Sequence, residues 1–434
     1  MNNKSTLVQL LTATLFSLPL FEAFSQTNTW TPKANLPALS RMYAVGFSIG
    51  NKGYIGAGIE SFNLFPSKDF WEWDQASDVW TQKANFGGGG RYGAVGFSIG
   101  TKGYIGTGCN DITISALSYE KDFWEWDQTT NIWVQKADFA GTSRYFAVGF
   151  SIGAKGYIGT GIIPNLYSDF WEWDQASDVW TQKASFGGGG RYGSVGFSIG
   201  SKGYIGTGLG FGHKQDFWEW DQTTDVWTQK ADFGGGLRVD AVGFSIGAKG
   251  YIGGGRDVNS ACFNDFWEWD QGTNTWLQKT NIGSAIGRYG TVGFSIGNKG
   301  YIGSGADCVP TGTIIITGHP KPLFSLGDFW EYAPDGCTAT AVISSDPSST
   351  VCVGQNVFIS ASGGTTYSWN TGATGANIVA APSVTTTYSV TVTDAAGCTG
   401  IGTLTVPVDP GCTATGMAQL NAEALRAEVW PSPS

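Results

Sequence analysis

The chain has 434 residues, 14% of them charged, with 65 glycines, 19 tryptophans, two histidines and a net charge of −10. An acidic chain this poor in Lys and Arg lacks the electrostatic footprint of a nucleic-acid binder, and two histidines cannot furnish a three-His zinc site. Aromatic residues at 14% exclude a disordered chain, and the joint excess of Gly and Trp predicts many short strands joined by tight turns.

At the N-terminus, Lys4 precedes an apolar run from Leu7 to Phe21 that is too short to span a bilayer. Ala23-Phe24-Ser25 then places small residues at the two positions a signal peptidase reads, so residues 1–25 are expected to be a secretory signal. No Cys follows the expected cut, which argues against a lipoprotein anchor, and no other run is long enough for a transmembrane helix. The expected location is secreted, extracellular or at the outer-membrane surface, where the seven cysteines can oxidise.

The next 300 residues are a repeat. Arg-Tyr-Gly-Ala-Val-Gly-Phe-Ser-Ile-Gly begins at Arg91, and variants begin at Arg41, Arg144, Arg191, Arg238 and Arg288, at spacings of 50, 53, 47, 47 and 50. Each is followed by Lys-Gly-Tyr-Ile-Gly, a variable stretch, and Asp-Phe-Trp-Glu-Trp-Asp or its variant; five then carry a Trp strand, at Trp80, Trp133, Trp180, Trp227 and Trp276. Four antiparallel strands per period of about 50 predict a β-propeller blade. The last unit ends at Glu331-Tyr332-Ala333-Pro334 without a Trp strand, and a spare one, Trp30-Thr31-Pro32-Lys33, stands at the other end. The fold class expected is therefore all-β: a six-bladed propeller over residues 26–335, its last blade completed by the N-terminal strand so that no edge is left open.

These units resemble the kelch family over about 70% of the chain. The carriers are an Arg opening strand one, Tyr and glycines ending strand two, an aromatic-acidic strand three and a Trp in strand four. The kelch glycine doublet is here Gly-x-Gly, as at Gly56 and Gly58, with adjacent glycines only at Gly253 to Gly255. Seventeen of the tryptophans fall at repeat positions, and packing between blades accounts for all of them, in preference to a sugar-stacking platform.

Alternating strand direction puts the loops before strand one and after strand two on one face of the disc. Arg41, Arg91, Arg144, Arg191, Arg238 and Arg288 are expected there as a ring at the mouth of the central channel. The loops after strand two vary from seven to twenty-two residues and carry both histidines, His213 and His319, together with Cys109, Cys262 and Cys308. Variable loops on a rigid scaffold are where specificity resides. The binding reading gives this face to a protein or glycan ligand, with the guanidinium groups suited to an anionic one. Some kelch adaptors are similar in binding acidic segments through arginines at this position. The competing reading pairs each Arg with a carboxylate of the neighbouring blade, such as Asp69 or Glu72 and their equivalents, or stacks it on a Tyr.

An enzyme is the alternative, since galactose-type copper radical oxidases and sialic acid mutarotases have kelch propellers. The oxidase needs two His and two Tyr on copper; His213 and His319 lie in different units with no motif around them. A mutarotase needs an acid and a base together in the pore, and no residue stands out from the repeat for those roles. Neither catalytic residues, nor a metal, nor a cofactor are expected, and non-catalytic binding or adhesion is preferred, with a purely structural surface component as the remaining alternative.

Composition changes after Pro334. Short strand-like runs at Val357, Thr366, Asn377, Thr387 and Gly402 predict a small β-sandwich over residues 336–411. Tyr367 to Thr374 and Thr385 to Cys398 look like immunoglobulin-like or PKD-like modules of bacterial surface proteins. Cys352 and Cys398, with Trp369 between them, are the expected disulfide, although Ala396 stands where such domains carry Tyr. Cys337 and Cys412 each open a Cys-Thr-Ala-Thr segment, and Cys262 and Cys308 could bridge adjacent blades; with seven cysteines, one is left over. Residues 412–434 form a linker ending in Leu425 to Ser434, which resembles the opening of a type IX secretion sorting domain and is expected to be truncated. The export machinery would then be a partner.

Overall fold

Val, Phe and Ile alternate with Gly and Ser in Val45–Ile49, so one face of this strand is buried and the other tolerates close approach of a neighbour. It pairs antiparallel with Lys52–Gly56, which pairs with Phe70–Asp74, which pairs with Val79–Gln82. The computed structural model, which describes residues 28–60, 65–110, 118–308, 326–334, 341–393 and 399–413, repeats this four-stranded antiparallel sheet six times. The described residues contain no helix, so no helix is long and apolar enough to cross a membrane. The expected signal segment, His319, Cys337, Cys398 and the expected sorting segment lie outside the described residues.

The sixth sheet is made from both ends of the repeat region. Val292–Ile296, Lys299–Gly303 and Phe329–Ala333 receive Thr29–Lys33 as their fourth strand, with Thr29 opposite Ala333 and Lys33 opposite Phe329. Lys33 Nζ lies 3.3 Å from the Glu331 carboxylate, which ties this join electrostatically. The inner strands stand side by side without space for a side chain between them. A Cβ on Gly46 would lie 2.9 Å from Val292 Cβ, and glycines 96, 149, 196, 243 and 293 meet Val45, Val95, Val148, Val195 and Val242 in the same way. Each sheet is thus set against the one before it, and the first against the sixth, an arrangement consistent with a propeller.

The tryptophans pack between sheets. Trp73, Trp126, Trp173, Trp220 and Trp269 are fully buried. Trp126 meets Tyr54 and Phe70 of the preceding sheet at 5.1 and 5.0 Å between ring centroids. Its indole N–H donates to Asn131 (3.1 Å) in the turn that follows, as Trp73 donates to Asp78 (2.9 Å). Each such ring removes enough apolar surface from water to contribute roughly 2–3 kcal/mol, and its polar edge is satisfied locally.

After the repeat, Val342–Asp346, Val357–Ser362 and Asn377–Ala380 form one antiparallel sheet, and Thr366–Trp369, Thr386–Thr393 and Thr399–Val406 another. Val357, Ile359, Trp369, Val390 and Val392 are buried together in a core of their own. The expected Cys352–Cys398 disulfide is corrected: Cys352 bonds to Cys412, with Cα atoms 5.0 Å apart. The reason is a parallel pairing of Val351–Val353 with Val408–Thr413, which brings the end of the module back beside its second strand. Cys412, expected in a linker, is therefore part of this unit.

Candidate functional site

The six arginines are the first test of the expected binding face, and the structure corrects it. Arg41, Arg91, Arg144, Arg191, Arg238 and Arg288 are 0% exposed. Each guanidinium forks onto the Asp that opens strand three of its own sheet: Arg41 on Asp69, Arg91 on Asp122, Arg144 on Asp169, Arg191 on Asp216, Arg238 on Asp265 and Arg288 on Asp328. Nη1 also donates to a backbone carbonyl sixteen residues on, for example Arg144 to Thr160 at 2.9 Å. The Asp accepts a third bond from the Trp two residues later, as Trp171 donates to Asp169 at 2.8 Å. Burial pushes Asp69, Asp169, Asp216 and Asp328 toward the neutral form, but the guanidinium hydrogen bonds and charge outweigh it and hold these carboxyls below their usual value. With Nη1 and Nη2 both held by the Asp and no surface exposed, these arginines cannot greet an anionic ligand, although Nε of Arg91, Arg191, Arg238 and Arg288 is buried without a partner. The pairing expected as the competing reading is the one present, within each sheet rather than across to a neighbour.

The arginines nonetheless mark the right loop. Two residues beyond each of them the chain turns through a positive φ of 54 to 61°, at Tyr43, Gly93, Phe146, Gly193, Asp240 and Gly290. Here the backbones join in a closed circuit. Tyr43 N donates to Gly290 O (2.8 Å), Gly93 to Tyr43 (3.1 Å), Phe146 to Gly93 (2.8 Å), Gly193 to Phe146 (3.1 Å), Asp240 to Gly193 (2.9 Å) and Gly290 to Asp240 (3.0 Å). The inner mouth is therefore rimmed by six satisfied peptide groups. Three rim positions are glycine, which adopts this conformation freely. Tyr43, Phe146 and Asp240 occupy it at a cost of about 1 kcal/mol or more each.

The three side chains break the sixfold pattern and form a cluster. Tyr43 Oη donates to Asp240 Oδ2 (3.1 Å), and Arg256 donates to the same oxygen through Nε (3.1 Å) and Nη2 (2.8 Å). The Arg256 guanidinium lies 4.7 Å from the Tyr289 ring centroid, and Tyr43 packs on Phe146 at 4.6 Å. Asp240 is buried, and burial raises its pKa despite the opposing pull of Arg256 and Tyr43. Burial, then the Asp240 charge, raises that of Tyr43. A cavity of about 110 Å³ opens on this rim, lined by Tyr43, Phe146, Ser194, Asp240 and Thr291 among others.

None of Tyr43, Phe146, Asp240 and Arg256 was expected as a site residue. The sequence did carry a signal: Val239-Asp240 replaces the usual Tyr-Gly, and Arg256 is an arginine outside the repeat's own position. Of the loop residues that were singled out, Cys262 and Cys308 form a disulfide between neighbouring loops, His213 ends the short hairpin Leu209–His213, and Cys109 is a buried thiol beside Tyr92. Among the described residues no group of three or more His, Cys, Asp or Glu could hold a metal ion.

No protein-family description matches the chain, and no curated protein matches it. A solved structure titled "Structure of YjhT" is similar, with a TM-score of 0.56 at 16% identity, over 68% of this chain and 95% of that one. Identity at that level speaks for the fold alone. Together with the repeated four-stranded sheets it supports a kelch-like β-propeller in this chain.

Proposed function

We propose that the protein is an exported, non-catalytic recognition protein whose binding surface is the loop face of a six-bladed kelch propeller. In this reading residues 1–25 are a removable signal and the N-terminal strand completes the sixth blade. The module behind it is an immunoglobulin-like spacer, and residues 414–434 begin a sorting segment that takes the chain to the outer surface. The observation that carries the reading is a set of exposed apolar side chains outside the repeat pattern. Leu39, Phe65, Phe211, Leu237, Val258 and Ile286 are exposed in the loops of that one face, whereas the other exposed apolar side chains of the repeat region, Val79, Ile132, Val134, Val179, Val226 and Leu277, recur along the fourth strands. Side chains of this kind around a rigid rim suit a protein or glycan partner. Glycan and peptide arrays probed with the full chain test it. Binding on one of them is expected, reduced at least tenfold by Phe65→Ser with Phe211→Ser; silence on both would favour a purely structural surface component.

One observation favours a second reading, a carbohydrate-active enzyme of the mutarotase type. Asp240 is a buried carboxyl of raised pKa at the channel mouth, with a Tyr hydroxyl in contact, as acid–base chemistry requires. A mutarotation assay on sialic acid decides it: turnover that disappears in Asp240→Asn would replace the binding reading.

A further inference from the structure

We propose that the rim cluster of Tyr43, Phe146, Asp240, Arg256 and Tyr289 is a binding site for one neutral, hydroxyl-rich ring, the terminal residue of an uncharged glycan. The proposal rests on the recognition reading above and names the ligand class of its face.

The distribution of hydrogen bonds on Asp240 comes first. Its three side-chain bonds, from Tyr43 Oη and from Nε and Nη2 of Arg256, all fall on Oδ2. Oδ1 is directed over Gly193, where an added Cβ would lie 2.5 Å from it, and Asp240 and Gly193 both line the cavity. Oδ1 is thus placed as an acceptor toward a ligand. Arg256, which with Tyr289 stands next to the cavity lining and is not part of it, is the donor side: its side chain is about one-third exposed. Two neighbouring hydroxyls, one donating to a carboxylate and one accepting from a guanidinium, satisfy such a pair together. The apolar face of a sugar ring is met by aromatic carbon, here Phe146 and Tyr43 on one side and Tyr289 beneath Arg256 on the other.

Charge decides between neutral and acidic rings. The Arg256 charge is already matched by the Asp240 carboxylate. An acidic sugar would set a second carboxylate beside Asp240, with one guanidinium to serve both, and like charges in a poorly solvated site repel. A neutral ring binds without breaking the pair. Size decides between a terminal residue and a longer chain: a cavity of about 110 Å³ is well below the usual volume of pockets for larger ligands. The three rim glycines make room for the three side chains. A Cβ at Gly93 would strike the Phe146 ring at 2.9 Å, and one at Gly290 the Tyr43 ring at 2.9 Å.

The test is calorimetric titration of the full chain with neutral methyl glycosides and neutral oligosaccharides, with sialic and glucuronic acids in parallel. Two variants accompany it. Tyr43→Phe removes one hydroxyl, and Arg256→Lys keeps a cation beside Asp240 while removing the planar fork. Neutral glycoside binding that falls at least tenfold in Arg256→Lys and several-fold in Tyr43→Phe, with the melting temperature lowered by no more than about 4 °C, is the expected result. Neutral binding that is unchanged in both variants would overturn this site and leave the recognition reading standing, as would binding confined to acidic sugars. A positive peptide array with no glycoside binding would likewise overturn the site alone. Silence toward glycosides and on both arrays would overturn the site and the recognition reading together.

Discussion

Six Arg–Asp pairs and a seventh, Arg256–Asp240, occupy the same face of the propeller and differ in almost every respect. The six are fully buried on the arginine side, take both carboxylate oxygens, and recur at every repeat. The seventh converges on one oxygen, leaves its guanidinium partly exposed, and occurs once. The six hold strand three to the loop before strand one; the seventh stands at a rim whose backbone is already complete without it. In a repeat protein, regular charge is architecture, and the position that departs from the pattern is where a ligand can be told apart from the scaffold.

The contrast can be broken by mutation. Arg191→Ala would leave Asp216 half-buried without its counter-ion and should destabilise the propeller by about 3 kcal/mol, the low end of the range for a broken buried pair because Asp216 keeps some solvent contact; thermal unfolding measures it. Arg191→Lys should still cost about 2 kcal/mol, because a point charge cannot replace the bidentate fork. Arg256→Lys and Tyr43→Phe should each cost no more than about 1 kcal/mol. A large loss in these two with a small one at Arg191 would reverse the assignment of structural and functional pairs.

Titration sharpens the same comparison with smaller effects. Asp69, Asp169, Asp216 and Asp328 have depressed pKa values in the folded state, so their stabilisation is complete above the unfolded value of about 3.9 and is lost as pH falls through the lower folded ones. The melting temperature should hold between pH 7 and about 4 on their account and fall below that. Asp240 has the opposite sign: its folded pKa is raised, so its ionisation opposes folding and protonation relieves it as pH falls through the folded value. Carboxyl-carbon NMR of Asp-labelled protein should find the four below the ordinary Asp position and Asp240 above it.

The strands, their order and the shared sixth sheet were legible in the sequence because period and alternation act locally. The Trp positions were legible because a large ring repeated at one place in a blade has only the neighbouring blade to fill. The fate of the arginines was not. Whether a guanidinium at a loop faces the channel or turns into the blade depends on the distance to Asp69 and its equivalents, set by backbone geometry across 25 to 40 residues. The rim was invisible for a related reason. The series Tyr43, Gly93, Phe146, Gly193, Asp240, Gly290 is plain in the sequence, but its meaning lies in a shared positive φ and a closed hydrogen-bond circuit. Cys352 misled because a Cys-Trp-Cys spacing suggested Cys398, whereas the parallel pairing with Val408–Thr413 delivers Cys412.

The strand Thr29–Lys33 also sets an order of events. The first described strand of the chain finds its partner, Phe329–Ala333, only about 300 residues later. Bringing such distant ends together costs roughly 5 kcal/mol of chain entropy, so this join forms slowly and is the natural last step of assembly. Until then the sixth sheet has three strands and a bare edge at Phe329–Ala333, open to pairing with a strand of a second copy; once Thr29–Lys33 docks, that edge is covered. Thr29–Lys33 thus acts as a clasp, and the time at which it shuts bounds the interval during which that edge is open to a wrong partner.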